Sequence, residues 1–380
     1  MGSYLIGAFP MPARLRALFR FQESGLLLVI LALGALLTAF AGTVRTPVFE
    51  RAADGTRARV YTTDAAGERV PLTIEKNKFL NAQNLAQLAK DTSFIAIMAV
   101  GMALVIISGG IDLTVGSIYA LASVAGALVL RHFGAEGPAA SSPILGILLG
   151  TGTCLGIAAL CGLASGSLIV ALRVHPFIIT LGGMAIYRGI AFVITEGQSI
   201  GSFPAAFREF VRFEVGDGLG VVPLATMLVV LFVGWIFLSR LAAGRRVYAI
   251  GGNELAARFS GIRVERVKLG VYVISGLCAG IAALLSIGYY GAATSGDGQG
   301  YELNVIAAAV VGGASLNGGR GSALGVVLGA LIIQMISSGI VILGINQNYS
   351  QIIIGSVVIF AVVLDNLNTW LAKRRLTAAA

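Results

Sequence analysis

Val105-Ile106-Ile107-Ser108-Gly109-Gly110-Ile111-Asp112-Leu113-Thr114-Val115-Gly116-Ser117 sets two adjacent glycines and one carboxylate between two apolar runs. The run before it begins at Phe94 and the run after it reaches Leu130. Glycines permit a sharp break, and a carboxylate at membrane depth is costly unless it faces protein or water. The rest of the chain decides that this is membrane depth. Of 380 residues 57% are hydrophobic, 12% are charged and 51 are glycine, whereas globular domains carry about 25% charged residues and about 7% glycine. That balance belongs to helices packing closely in lipid.

Further apolar segments run over Gly25–Gly42, Ile144–Leu172, Pro176–Thr195, Val221–Leu238, Leu269–Tyr290, Val305–Ala314, Ala323–Ile342 and Ile352–Leu364, giving about ten in all. The chain is therefore expected to be an all-α polytopic membrane protein with about ten transmembrane helices, some broken or short. Gly25–Gly42 reads as an uncleaved anchor, because the segment before it is long for a signal peptide and more spans follow. Lys and Arg number fifteen on one side and eleven on the other, Arg188 within a span apart, and the excess places both termini in the cytoplasm. The expected organisation is a cytoplasmic segment 1–24, a first transmembrane helix 25–42, an extracytoplasmic loop with an interfacial helix 43–90, a transmembrane core 91–370 and a cytoplasmic tail 371–380. A hairpin is expected around Val60-Tyr61-Thr62, and Phe79–Leu88 has the spacing of a short interfacial helix. Gly109–Ser117 resembles Gly312–Gly319 and gives a weak internal repeat of two halves.

The net charge of +9 does not indicate nucleic acid, since the basic residues cluster at the ends of apolar runs. Cys154, Cys161 and Cys278 lie in apolar segments without metal spacing and read as small packing residues. His132 and His175 stand apart, no catalytic set converges, and no nucleotide-binding motif occurs, so this chain is not expected to hydrolyse ATP or to carry a cofactor or a metal.

Four polar positions are candidates for the path of a solute. Asp112 either caps the helix that follows or touches the solute. Arg188 lies about twelve residues, roughly 18 Å, into its helix and must snorkel, pair with Glu196, Asp297 or Glu302, or line an aqueous path. Glu302 and Asn304 follow a glycine-rich stretch that brackets a very short apolar run. A separate cytoplasmic segment contains Gly252, Asn253, Glu254, Ala256, Ala257, Ser260 and Gly261. There Asn253 suits an N-cap, Glu254 the positive helix end and Gly261 the stop, which gives a helix of about two turns shaped for another protein's groove.

These motifs in combination resemble the permease subunits of bacterial ATP-binding-cassette importers for monosaccharides, of the ribose/galactoside/xylose type. The resemblance covers about Phe79 to Asp365. It rests on Gly109–Ser117, on Pro176-Phe177-Ile178-Ile179-Thr180-Leu181-Gly182 with Tyr187-Arg188-Gly189, and on Ala249-Ile250-Gly251-Gly252-Asn253-Glu254 with Ala256-Ala257 and Ser260-Gly261. Gly300-Tyr301-Glu302-Leu303 and Gly312-Gly313 with Gly318-Gly319-Arg320-Gly321 complete it. It implies a second permease chain, cytoplasmic ATPase subunits, a periplasmic sugar-binding protein and a place in the bacterial inner membrane. It also implies that Asn253–Gly261 is a coupling helix docking into an ATPase cleft. The chain departs from the family over Thr43–Lys78, where a shorter link is expected. The rival reading is an ion-coupled secondary transporter of a small polar solute, with Asp112 or Glu302 as the ion site.

Overall fold

A computed structural model describes residues 23–51, 57–63, 67–216 and 218–363. Among these residues seven helices are long and apolar enough to cross a membrane: α2 (Ala82–Ile107), α3 (Val115–His132), α4 (Pro143–Leu172), α5 (Pro176–Thr195), α7 (Val221–Arg240), α10 (Val264–Tyr290) and α12 (Ala323–Ile342). Three shorter apolar helices accompany them: α1 (Ser24–Phe40), α11 (Tyr301–Val311) and α13 (Gln347–Val363). Helices α6 (Ala205–Val211), α8 (Ala242–Gly252) and α9 (Glu254–Phe259) lie in the connections. Of the expected cytoplasmic segment 1–24, all but residues 23 and 24 falls outside the described residues, as do the end of the expected core from 364 and the whole tail 371–380.

Helix α2 is the axis of the molecule, buried along nearly its whole apolar length and packed by α10, α12, α7 and α11. Association in lipid depends on close packing rather than on a hydrophobic drive between helices. At the α4–α10 contact a Cβ on Gly162 would run into the carbonyl oxygen of Tyr272, and one on Gly276 into that of Ala158. Cys154 and Cys278 are buried beside Gly126 and Gly101 and pack as small residues do. Helices α5 and α7 present Phe192, Val193, Val229, Phe232 and Val233 outward, an apolar face suited to acyl chains.

The all-α expectation is corrected over residues 43–77. Strands β1 (Thr43–Pro47) and β6 (Thr73–Asn77), β2 (Phe49–Arg51) and β3 (Arg57–Arg59), and β4 (Tyr61–Thr63) and β5 (Arg69–Pro71) form three antiparallel ladders. They meet at one cyclic junction. Val48 N–H donates to Leu72 O (2.8 Å), Leu72 N–H to Val60 O (2.8 Å) and Val60 N–H to Val48 O (3.0 Å). The result is a closed three-armed knob between α1 and α2, and Tyr61–Thr63 pairs as one arm of it. A fourth short ladder joins β7 (Glu214–Val215) to β8 (Leu219–Gly220).

Phe79–Leu88 forms no separate interfacial helix. Asn81 accepts the Asn84 N–H at 2.8 Å and caps α2, so the helical spacing there is the start of one 26-residue helix. Lys90, counted with the loop in the charge tally, is buried over the Tyr289 ring at 4.1 Å.

Candidate functional site

Two apolar helices end in the same way inside the bundle. At the end of α2, Gly109 N–H donates to Ile106 O and Gly110 N–H to Val105 O, both at 2.9 Å. At the end of α11, Gly313 N–H donates to Val310 O and Ala314 N–H to Ala309 O, again at 2.9 Å. Gly109 and Gly313 take positive φ, 82° and 91°, as this C-terminal motif demands. The structural correspondence thus runs Gly109 to Gly313, one residue along from the correspondence expected in the sequence. After each stop comes a short irregular link and then another apolar helix, α3 or α12.

Asp112 sits in the first link with only 1% of its surface exposed. Its Oδ1 accepts the Thr114 N–H (3.0 Å) and hydroxyl (2.5 Å), and its Oδ2 accepts the Ser275 hydroxyl of α10 (2.8 Å). Tyr272 of α10 and Thr180 of α5 both donate to Ile111 O at 3.3 Å. The capping expectation is therefore modified: the residue before α3 is Thr114, and Asp112 fastens the link to α10 instead of capping the helix. Both carboxylate oxygens are occupied by donors. Losing them would leave buried hydroxyl and amide donors unpaired, at about 1–3 kcal/mol each.

Arg188 does not form a side-chain ion pair with Glu196, Asp297 or Glu302 in the structure. Its Nη1 donates to the backbone carbonyls of Ser295 (2.9 Å) and Asp297 (2.5 Å), holding the loop ahead of α11. Asp297 turns back on that loop and accepts the Thr294 N–H (2.9 Å) and hydroxyl (2.6 Å). Glu302 Oε2 is buried without a hydrogen-bond partner, facing Gly116, where a Cβ would collide with it. Asn304, one turn below Tyr301, is half-buried. Arg188 thus holds the loop before α11 and Glu302 lies in the first turn of that helix, at the other end from its glycine stop, while Asp112 fastens the first link.

The cytoplasmic segment has the expected caps. Asn253 Oδ1 accepts the Ala256 N–H at 2.9 Å, and Gly261 closes α9 at φ 80° with Ile262 N–H donating to Ala257 O (3.1 Å). Glu254 is held by Lys268 (2.6 Å) and Arg258 (3.6 Å), and Arg258 also reaches Glu265 (2.5 Å). Ser260 donates back to Ala256 O. Ala257 is 3% exposed against Ile250 and Val264, so it anchors α9 and takes no part in its outer face. That outer face consists of Leu255 and Phe259, 63% and 83% exposed. Neither was expected from the caps, although an apolar pair at i and i+4 on a short charged helix is the signal that finds them.

Helix α8 joins this exposed helix to the broken regions. A Cβ on Gly251 would overlap the Ile107 carbonyl oxygen at the end of α2 and stand 2.5 Å from the Gly319 nitrogen. Gly319 N–H itself donates to Ile107 O at 2.8 Å, and the Tyr248 hydroxyl donates to Gly321 O at 2.7 Å. Backbone from α8, from the end of α2 and from the link before α12 therefore meets at one point, next to the Asp112 lock. The described residues contain no group of three or more His, Cys, Asp or Glu side chains placed to hold a metal ion.

The ribose import permease protein of Escherichia coli (strain K12) is 38% identical over 290 residues, covering 76% of this chain and 87% of that protein. The D-allose transport system permease protein of the same strain is 38% identical over 290 residues, covering 76% of this chain and 85% of that one. The fructose import permease protein of Rhizobium meliloti is 32% identical over 302 residues, covering 78% and 80%. No solved structure matches the chain. Residues 84–362 match the family model described as branched-chain amino acid transport system / permease component, and they contain both broken regions and the α8–α9 segment. The chain is a multi-pass membrane protein that belongs to this permease family.

Proposed function

We propose that the chain is the permease subunit of an ATP-driven importer and forms the translocation pathway for a monosaccharide or related small polar solute delivered by a periplasmic binding protein. It is a non-catalytic subunit: ATP is hydrolysed in cytoplasmic ATP-binding-cassette subunits, and a second permease chain completes the pathway in the bacterial inner membrane. The single observation that carries this reading is the α8–α9 unit, an exposed apolar pair on a capped, ion-paired helix joined by backbone contacts to both broken regions. The sugar import permeases among its relatives support the solute class.

In this reading all ten apolar helices cross or enter the membrane, with both termini cytoplasmic, the knob outside and the core spanning 91–370. The matching ends of α2 and α11 support a two-half internal repeat. Gly252, Asn253, Glu254, Ala256, Ala257, Ser260 and Gly261 build the coupling helix, with Leu255 and Phe259 as its contact. ATP binding moves that helix, and α8 passes the motion to the Ile107–Gly251–Gly319 joint, where it biases a two-state membrane element. Asp112 gates by fastening the first link to α10, while Arg188, Glu302 and Asn304 stand along the path at the start of α11. Engagement of both Asp112 oxygens by fixed donors favours this gate over an ion-coupled carrier.

The test is capture of the detergent-solubilised chain from its native membrane, with mass spectrometry of what stays bound. An ATP-binding-cassette ATPase is expected at near-stoichiometric yield. Recovery of this chain without any ATPase, under conditions that preserve other such complexes from the same membrane, would overturn the reading.

A further inference from the structure

The polar stripe at the start of α2 faces a cavity. Asn84, Gln87 and Asp91 recur at i, i+3 and i+7, the spacing of one helix face. Opposite them stand Gln334, Ser337 and Ser338 of α12, and the two sets enclose about 480 Å³ closed at one end by the start of α13. The cavity lies in the half of the bundle that carries the knob, since α2 begins beside the knob and Gly339 near the end of α12 packs on Leu37 near the end of α1.

Its lining is unusual for its depth. Gln334 is the twelfth residue of α12, roughly 16 Å from the helix start and close to mid-membrane. A carboxamide there is expensive unless a partner or water satisfies it. Among the described residues Gln334 and Ser338 have no hydrogen-bond partner, while Ser337 bonds back to Ile333 O at 3.1 Å. On the α2 wall Gln87 donates to Asp91 Oδ2 at 2.9 Å and accepts from Lys90 at 3.0 Å. Lys90 also stands 3.3 Å from Asp91 Oδ1, so the carboxylate is compensated by a buried cation. The wall therefore offers carboxamides and hydroxyls that both donate and accept, and its one carboxylate is already neutralised. A neutral polyhydroxylated molecule matches such a wall, because each hydroxyl can give and take a hydrogen bond, whereas an ion would enter without a free counter-charge.

We infer that this cavity is a holding site for a neutral polyhydroxylated solute on the extracytoplasmic half of the pathway, with Gln334 and Ser338 as its deepest contacts; the inference rests on the importer reading above. The test uses the complete importer reconstituted in vesicles, with Gln334→Cys and Ser338→Cys compared with Val229→Cys on the outward face of α7. The native cysteines are buried. A charged, membrane-impermeant methanethiosulfonate added on the knob side should label positions 334 and 338 about tenfold faster than position 229, since only a water-filled site presents thiolate. D-ribose, D-allose or fructose should slow labelling at 334 and 338, while inorganic phosphate and L-lysine should not. Labelling no faster than at 229, absence of protection by all three sugars, or equal protection by the ions would each overturn the assignment. ATP-driven uptake of the same sugars by the unsubstituted complex tells whether the importer reading falls with it.

Discussion

Phe259→Asp abolishes capture of the ATPase while the chain still inserts and folds. The side chain is 83% exposed on α9 and contributes little to the frame, which Asn253, the Glu254–Lys268 pair and the buried Ala257 maintain. A carboxylate at the centre of an apolar contact must be desolvated, and truncating a central aromatic anchor alone typically costs about 2 kcal/mol or more, near a thirtyfold loss of affinity. Leu255→Asp should act in the same direction and less strongly. Ala257→Leu is expected to differ in kind: it overpacks the small cluster with Ile250 and Val264, so it destabilises α9 itself. Co-purification, together with the thermal melting of each detergent-solubilised variant, separates the two. Phe259→Asp should lose the partner at unchanged melting temperature, and retained capture would remove α9 from the interface.

Gly251→Ala should leave ATPase capture intact and sharply reduce transport. A single Cβ there overlaps the Ile107 carbonyl oxygen, so α8 must move away from α2 and from the Gly319 backbone. The cost in stability is about 1–3 kcal/mol, typical of inserting a methyl group into a filled contact. On the proposed coupling route the larger effect falls on transport, because the displaced joint is where motion of α8 would reach both broken regions. Gly270→Ala is the control, since nothing lies within 4 Å of the position its Cβ would take. ATP hydrolysis that continues while sugar uptake falls would identify uncoupling, and uptake equal to that of Gly270→Ala would show that the joint carries no motion.

The parts of this fold that could be read from the sequence are those whose chemistry is local. Two glycines and an aspartate between apolar runs can only break a helix, and the break is found at Ser108–Thr114. Asn253 and Gly261 mark the ends of α9 because capping is decided within four residues. What was missed depends on distant partners. Asp112 has the look of a cap, yet its second oxygen is taken by Ser275, 163 residues away. The outer turns of α2 look interfacial because half of that face is polar, but the polar half meets α12 and not water alone. A six-residue helix shows by spacing that Leu255 and Phe259 share a face, but whether that face or the one with Ala257 is buried depends on Ile250 and Val264 outside the helix. In the knob each strand has three to five residues, and register is set by the junction of Val48, Val60 and Leu72. Their regular spacing of twelve residues was the available signal.

In the proposed importer, solute movement through this chain is driven by ATP in partner subunits. The most direct measurement is uptake of radiolabelled ribose, allose and fructose into vesicles holding the chain with its captured ATPase and the periplasmic binding protein, with and without internal ATP. Accumulation of at least one of these sugars that requires ATP, the binding protein and an intact Phe259 is the predicted result. Accumulation by this chain alone under an ion gradient, unaffected by Phe259→Asp and lost with Asp112→Asn, would contradict it.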